Sequence, residues 1–237
     1  MLRLESRPQT SKVWSYASPM LALAVTVVIG VVLFAALGKD PGRALQMFFW
    51  EPIKSGYALG ELMVKATPLL LIALGLAVCF RSNVWNIGAE GQFIVGAICA
   101  GGVALLAGKD TGRWIVLAVL LAGIVGGMAW AGITAWLRDR FHASEILVSL
   151  MLVYVATMLL GYLVYGPWKD PAGYNFPQTR TFDLATQVPR LMAGSRAHLG
   201  LVLALLGASL MALFLFRTRA GFAQQVGGLS PLAARYA

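Results

Sequence analysis

Long apolar runs separated by short polar clusters recur along the chain. Six of them, residues 19–37, 59–80, 87–107, 114–137, 146–165 and 199–216, reach the length of about 20 residues that a helix needs to cross the hydrocarbon core of a bilayer. Backbone polar groups in lipid must be satisfied within the segment, so each run is expected to be helical. The pattern predicts an all-α integral membrane protein, a polytopic helix bundle with about six transmembrane helices. The first run follows Arg3, Arg7 and Lys12, and Ala36-Leu37-Gly38 has the small-x-small form of a cleavage site. Its apolar stretch is nevertheless too long for a signal-peptide core.

Most connections are short, apart from residues 38–58 and 166–198. The second holds Pro167, Pro171, Pro177 and Pro189 with Gly166, Gly173 and Gly194, which exclude a continuous helix and predict an ordered, turn-rich cap at the membrane surface. Placing residues 1–18 in the cytoplasm makes 166–198 extracytoplasmic and 217–237 cytoplasmic. Lys and Arg then divide equally between the sides, with Lys65 inside a span. The positive-inside rule favours this orientation only when 166–198, with Lys169, Arg180, Arg190 and Arg196, is treated as a long translocated loop.

Composition supports the membrane reading. Hydrophobic residues make up 59% of the chain and charged residues 12%, against about 25% charged in soluble domains. Mean hydropathy is +0.74. The 26 glycines suit close helix approach in lipid. The formal charge of +9 does not indicate nucleic acid, because the 19 Lys and Arg are scattered singly between apolar runs, as contact with lipid headgroups requires. Cys79 and Cys99 fall inside apolar stretches without CxxC or metal-ligand spacing. With two histidines, His142 and His198, and no HExxH, GxSxG or GxxxxGK[ST] pattern, the chain offers neither a catalytic constellation nor a phosphate loop of its own. Trp14, Tyr16, Trp85, Trp114, Trp136, Tyr165 and Trp168 lie near span ends, as in an interfacial aromatic belt.

The most unusual stretch is residues 81–92, RSNVWNIGAEGQ, which sets Asn83, Asn86, Gly88, Glu90, Gly91 and Gln92 between apolar runs. Polar groups at membrane depth pair with one another or line a wet cavity, so one reading is a broken helix beside a transport pathway. The other is that Asn86 caps the next helix and Glu90 complements its dipole in the first turn. Both stay open at this level. Pro68 is expected to kink the second span. Glu61 and Lys65 have i,i+4 spacing near the start of that span, and Ser144 with Glu145 has the form of a helix start.

Three segments together resemble the permease subunits of the ribose and branched-chain amino acid type of ABC importer, within them the nucleoside and simple-sugar group. RSNVWNIGAEGQ is similar to that group's F-N-I-G-x-E-G-Q signature. SEILVSLML at residues 144–152 with GPWKDPAGYNFPQT at 166–179 is similar to its extracellular loop. RTRAGFAQQVGGLSPLAARYA at 217–237 is similar to the cytoplasmic loop whose short helix docks on the ATPase. The resemblance implies a permease that translocates nucleosides or related simple sugars across the bacterial inner (plasma) membrane and is not itself an enzyme. ATP and Mg would be bound by a separate ABC ATPase subunit. Its other implied partners are a second permease subunit, an extracytoplasmic solute-binding protein or lipoprotein, and membrane lipid. Asn83, Asn86, Gly88, Glu90, Gly91 and Gln92 would flank the substrate pathway. Lys169, Asp170, Pro171, Asn175, Phe176 and Pro177 would shape the outer loop, and Gly221, Phe222, Gly228, Pro231, Ala233 and Ala234 would couple to the ATPase.

The resemblance also implies further helices after Ala237, so the chain is expected to be a C-terminally truncated fragment. Val153 departs from the pattern where many relatives carry Asn, and Gly227-Gly228 from the expected docking helix. From the residues alone, Ser230 with Pro231 starts the coupling helix and Leu232-Ala233-Ala234 propagates it, with Gly221 and Gly227-Gly228 as punctuation. The alternatives are a proton-coupled secondary transporter using Glu90, an ABC permease for another solute such as ribose or branched-chain amino acids, and a non-transporting scaffold.

Overall fold

A computed structural model of the chain describes residues 11–108, 111–191, 194–230 and 232–233. The described residues fall into two compact units, one up to Leu62 and one from Met63 onward. In the first, α1 (Lys12–Ala36) begins ahead of the apolar run at residue 19. The Ser15 amide already closes a helical bond to the Ser11 carbonyl at 3.0 Å, and Trp14 and Tyr16 are exposed on this added turn, where interfacial aromatics belong. Gly38 ends α1 in the left-handed conformation with φ 67°. The amides of Gly38 and Lys39 return to the carbonyls of Ala35 and Phe34 at 3.0 and 2.9 Å, a Schellman motif that a residue with a Cβ would strain.

Residues 38–58, the longer connection after the first apolar run, coil into short helical turns before the next long helix begins. These are α2 (Pro41–Leu45), a π-helical turn (Gln46–Trp50) and a 3-10 turn (Glu51–Ile53). Asp40 starts α2 by accepting from the amides of Gly42 and Arg43 at 2.8 and 3.3 Å, with Pro41 preorganised at the first helical position. The sequence signal was therefore present in Asp40-Pro41, beneath the hydropathy pattern.

The helix α3 (Gly56–Arg81) crosses the boundary between the units. It is followed by α4 (Ala89–Leu106), α5 (Ile115–Phe141), α6 (Glu145–Tyr165), α7 (Gly200–Arg217) and α8 (Arg219–Leu229). All but α2 and α8 are long and apolar enough to cross a membrane, six helices among the described residues. The expected spans are thus all present, with ends shifted by a few residues. α3 continues helically through Pro68, and the preceding Thr67, nearly buried, donates its hydroxyl to the Met63 carbonyl at 2.7 Å.

Small residues bring the second unit together, as expected where lipid supplies no hydrophobic drive. Its fully covered positions are small: Ala156 and Ala204 are 0% exposed and Ser149 1%, whereas Leu121, Met128, Met158 and Leu210 are exposed as lipid-facing side chains are. A Cβ on Gly96 would lie 2.9 Å from the Gly123 carbonyl oxygen, and one on Gly127 would lie 3.2 Å from that of Gln92, so α4 and α5 run antiparallel nearly backbone to backbone. A Cβ on Gly88 would lie 2.7 Å from that of Ser149, and one on Gly91 3.0 Å from the Val153 Cα, which sets α4 parallel to α6. The ends of α3, α5 and α7 therefore gather with the starts of α4 and α6. The loop of residues 166–198 caps the opposite end of α4, with Trp168 and Phe182 against Gly101 and Gly102.

Candidate functional site: a polar turn between two cavities

The polar stretch 81–92 forms the turn from α3 into α4. Asn83 adopts φ 55°, and the amides of Asn83 and Val84 return to the carbonyls of Phe80 and Cys79 at 3.1 and 2.9 Å. It is a Schellman closure with Asn in the left-handed position, the residue other than Gly that tolerates it best. The chain then continues without regular structure to Asn86, whose Oδ1 accepts from the Gly88 amide at 3.0 Å. Gly88, not Asn86, occupies the N-cap position of α4. The amides of Asn86 and Gln92 donate to each other's side-chain oxygens at 3.3 Å in both directions. Such reciprocal pairing is how amides near lipid satisfy themselves. Glu90 lies in the first turn of α4, exposed, where its charge complements the helix dipole.

Asn86 and Gln92 face open space. A cavity of 820 Å³ is lined by Cys79, Val84, Asn86 and Gln92 on one side and by Thr134, Arg138, His142 and Glu145 on the other. A second, of 390 Å³, shares Cys79, Asn86, Gln92 and Ala131 with the first and extends along the helices to Leu71 and Ile124. The amide pair thus stands at the junction of a wider polar mouth and a narrower apolar recess. Across the mouth, Arg138 donates to Glu145 Oε1 at 3.3 Å. His142, with φ 52°, turns the chain between α5 and α6. Ser144 holds the N-cap position of α6, but its hydroxyl caps nothing.

Of the residues singled out in the sequence, the structure brings Asn86 and Gln92 to the cavity and buries Gly88 and Gly91 against α6. Asn83 closes α3, and Glu90 points away from the helix packing as an exposed group. Thr134, Arg138 and His142 were not expected beside this turn, because single polar residues near a helix end carry no motif.

The loop residues cluster at the far end. Lys169 Nζ donates to Asn175 Oδ1, the Asp170 amide donates to the Gln178 carbonyl at 2.8 Å, and the Phe176 amide to that of Gly173 at 2.8 Å. Lys169 and Pro171 border a further cavity with Trp168 and Arg180, while Phe176 and Pro177 are exposed. The cap is ordered and turn-rich, as its prolines predict, held by isolated bridges between Lys169 and Thr179 and between Arg190 and His198.

The glycines expected as punctuation lie inside a helix: α8 runs from Arg219 to Leu229, through Gly221, Gly227 and Gly228, and Ser230 is its C-cap. Thr218 starts α8, accepting from the Gly221 amide at 3.0 Å. The further helix start expected at Ser230-Pro231 falls largely outside the described residues. Glycine costs a helix about 1 kcal/mol, but at Gly221 and Gly228 a Cβ would run into the backbone of Phe214 and of Arg81. The glycines are therefore contact points, not breaks. Phe222 is 62% exposed and Leu229 82%. Ala233 follows the helix, its amide donating to Ser230 Oγ at 3.4 Å, and Pro231 and Ala234 lie outside the described residues.

Six helices long and apolar enough to cross a membrane among the described residues, with a polar turn beside a cavity and a short helix packed on the ends of α3 and α7, define a multi-pass membrane protein. The chain belongs to the family described as branched-chain amino acid transport system / permease component, whose model matches residues 58–237. It is 34% identical to the glucose ABC transporter permease protein TsgB13 of Haloferax volcanii, over 100% of this chain and 64% of that protein. It is 26% identical to the guanosine ABC transporter permease protein NupP of Bacillus subtilis, over 92% of this chain and 63% of that protein. The nucleoside ABC transporter permease protein NupB of Lactococcus lactis is also 26% identical, over 92% and 62% respectively. The chain thus spans less than two thirds of the length of these relatives. No solved structure matches it.

Proposed function

We propose that the chain is the membrane-spanning permease subunit of an ATP-driven importer that carries nucleosides or related simple sugars into the cell. The observation that carries this reading is the amide pair Asn86–Gln92 at the junction of two cavities, in a chain whose relatives are named as permeases for glucose, guanosine and nucleosides. Both solute classes present vicinal hydroxyls, and a carboxamide supplies the donor and acceptor that a diol needs. In this reading Gly88 and Gly91 hold α4 against α6 and keep the pair at the pathway, while Asn83 and Glu90 flank it. Lys169, Asp170, Pro171, Asn175, Phe176 and Pro177 shape the outer mouth, to which a solute-binding protein delivers.

The end bearing α8 faces the cytoplasm, and the N-terminus lies on the same side of the membrane. In this reading Gly221, Phe222, Gly228, Pro231, Ala233 and Ala234 are the coupling residues toward an ATPase subunit that binds ATP and Mg. A second permease completes the pathway. Labelled inosine and glucose uptake tests the assignment. Asn86→Ala and Gln92→Ala are expected to lower uptake several-fold at unchanged membrane abundance, the loss of a hydrogen bond of about 0.5–1.5 kcal/mol in the pathway. Uptake unchanged in both variants would remove the amide pair from the pathway. Competition by guanosine but not glucose would assign the nucleoside class, and the reverse the sugar class.

A further inference from the structure

The inner face of α8 makes a set of contacts that ATPase docking on its outer face does not use. Gln224 Nε2 donates to Ser82 Oγ at 2.7 Å and to the Val78 carbonyl at 3.3 Å. Ser82 Oγ itself donates to the Val78 carbonyl at 3.1 Å, so the three groups form a closed triangle on a carbonyl at the C-terminal end of α3. The same carbonyl accepts the Ser82 amide at 3.2 Å, so the side-chain bonds gather on the carbonyl that closes the last turn of α3. Arg81 donates to Gln225 Oε1 at 3.4 Å and stands 4.4 Å over the Phe216 ring. Gly228 lies so close that a Cβ there would strike the Arg81 carbonyl and come within 2.9 Å of the Ser82 carbonyl carbon. All of these contacts on α3 fall on residues 78–82, the turn that leads directly into Asn83 and the amide pair. Cys79, beside Val78 in sequence, lines both cavities.

We propose that Gln224 and Ser82 are positioning residues that tie α8 to the last turn of α3, so that displacement of α8 is passed to Cys79 and Asn86 and resets the opening between the two cavities. The proposal rests on the reading of α8 as the helix that meets the ATPase. It assigns transmission to residues outside the glycine contacts and outside the pathway. Backbone-to-backbone packing at Gly228 makes the link stiff, and the hydrogen-bonded triangle fixes its register. An α8 held only by its connection to α7 would move without α3.

Cys79 reports on the link. In the complete importer, with cysteine-free partner subunits and Cys99→Ala in this chain, Cys79 is the one thiol left, since the chain has two cysteines. Its modification by a methanethiosulfonate reagent is measured in proteoliposomes without nucleotide and with ATP and vanadate, alongside solute moved per ATP hydrolysed. The rate for the otherwise unsubstituted chain is expected to differ between the two states. Gln224→Leu and Ser82→Ala are expected to erase that difference and lower solute moved per ATP by at least about five-fold, the lower range of coupling between sites. ATP hydrolysis should continue. The double variant should be no worse than either single one, and Ser82→Thr, which keeps the hydroxyl, should restore coupling. Wild-type stoichiometry and an unchanged Cys79 response in both single variants would overturn the link while leaving the transport function intact. Parallel loss of hydrolysis, transport and thermal stability would reduce the contacts to fold maintenance and also overturn it. No ATP-driven uptake by the unsubstituted importer would instead refute the function on which the link rests.

Discussion

At Asn83 the backbone decides the residue type. Its φ of 55° costs an ordinary L-residue about 1–2 kcal/mol, which Asn and Gly largely avoid. Asn83→Gly should therefore leave the thermal midpoint in detergent nearly unchanged, and Asn83→Val should lower it by the equivalent of about 1–2 kcal/mol. Equal midpoints for the two variants would show that the turn does not constrain this position. If Asn83→Gly also keeps full uptake, the amide of Asn83 has no part in the pathway. Gly88 gives a second residue-scale test. A methyl group there would meet both the Cβ and the carbonyl oxygen of Ser149 at 2.7 and 2.9 Å, so Gly88→Ala is expected to cost about 1–3 kcal/mol as overpacking. Adding Ser149→Gly should recover part of that loss, because it removes the first clash and leaves the second. No recovery would mean that α4 and α6 do not meet at this point.

Among elements, α4 and α5 form the closest pair, and their contact runs along glycines on both helices. A Cβ on Gly126 would sit 2.5 Å from Cys99 Sγ and 2.8 Å from Cys99 Cβ, whereas one on Gly132 of the same helix would meet nothing within 4 Å. Gly126→Ala should reduce membrane abundance and the thermal midpoint, while Gly132→Ala should be neutral or raise the midpoint by up to about 1 kcal/mol through helix propensity. The reverse order would show that α5 presents a different face to α4.

Elements were legible in the sequence wherever a single force set them. The six spans follow from apolar length, and the turn-rich cap follows from its prolines. What hydropathy could not reach was helix extended into polar residues, as at the start of α1, or short helix set by capping, as at Asp40-Pro41. At α8 the glycines misled, because their helix-breaking tendency is a property of the isolated chain, and only tertiary contact with Phe214 and Arg81 reveals why glycine stands there. The same holds for the site. The polarity of residues 81–92 marked the segment, but which of its residues reach a cavity depends on how α5 and α6 close around it. Arg138 and His142 could be placed only once that was known.

On the scale of the whole molecule, the polar turn, the cavity mouth and α8 gather at one end of the second unit, and the 166–198 cap sits at the other. That polarity suits a subunit which receives solute at one end and energy at the other. A device driven by ATP on a separate subunit is distinguished from one driven by a proton carried on Glu90 by the source of energy alone. The decisive measurement is the initial rate of labelled inosine or glucose uptake into proteoliposomes holding this chain with the permease, ATPase and binding-protein partners proposed for it, with ATP supplied to an intact or a hydrolysis-deficient ATPase and no ion gradient. Uptake with the intact ATPase, absent with the deficient one and indifferent to a protonophore, is the predicted result. Solute flux that proceeds with the deficient ATPase and follows an imposed proton gradient would contradict the account at its centre.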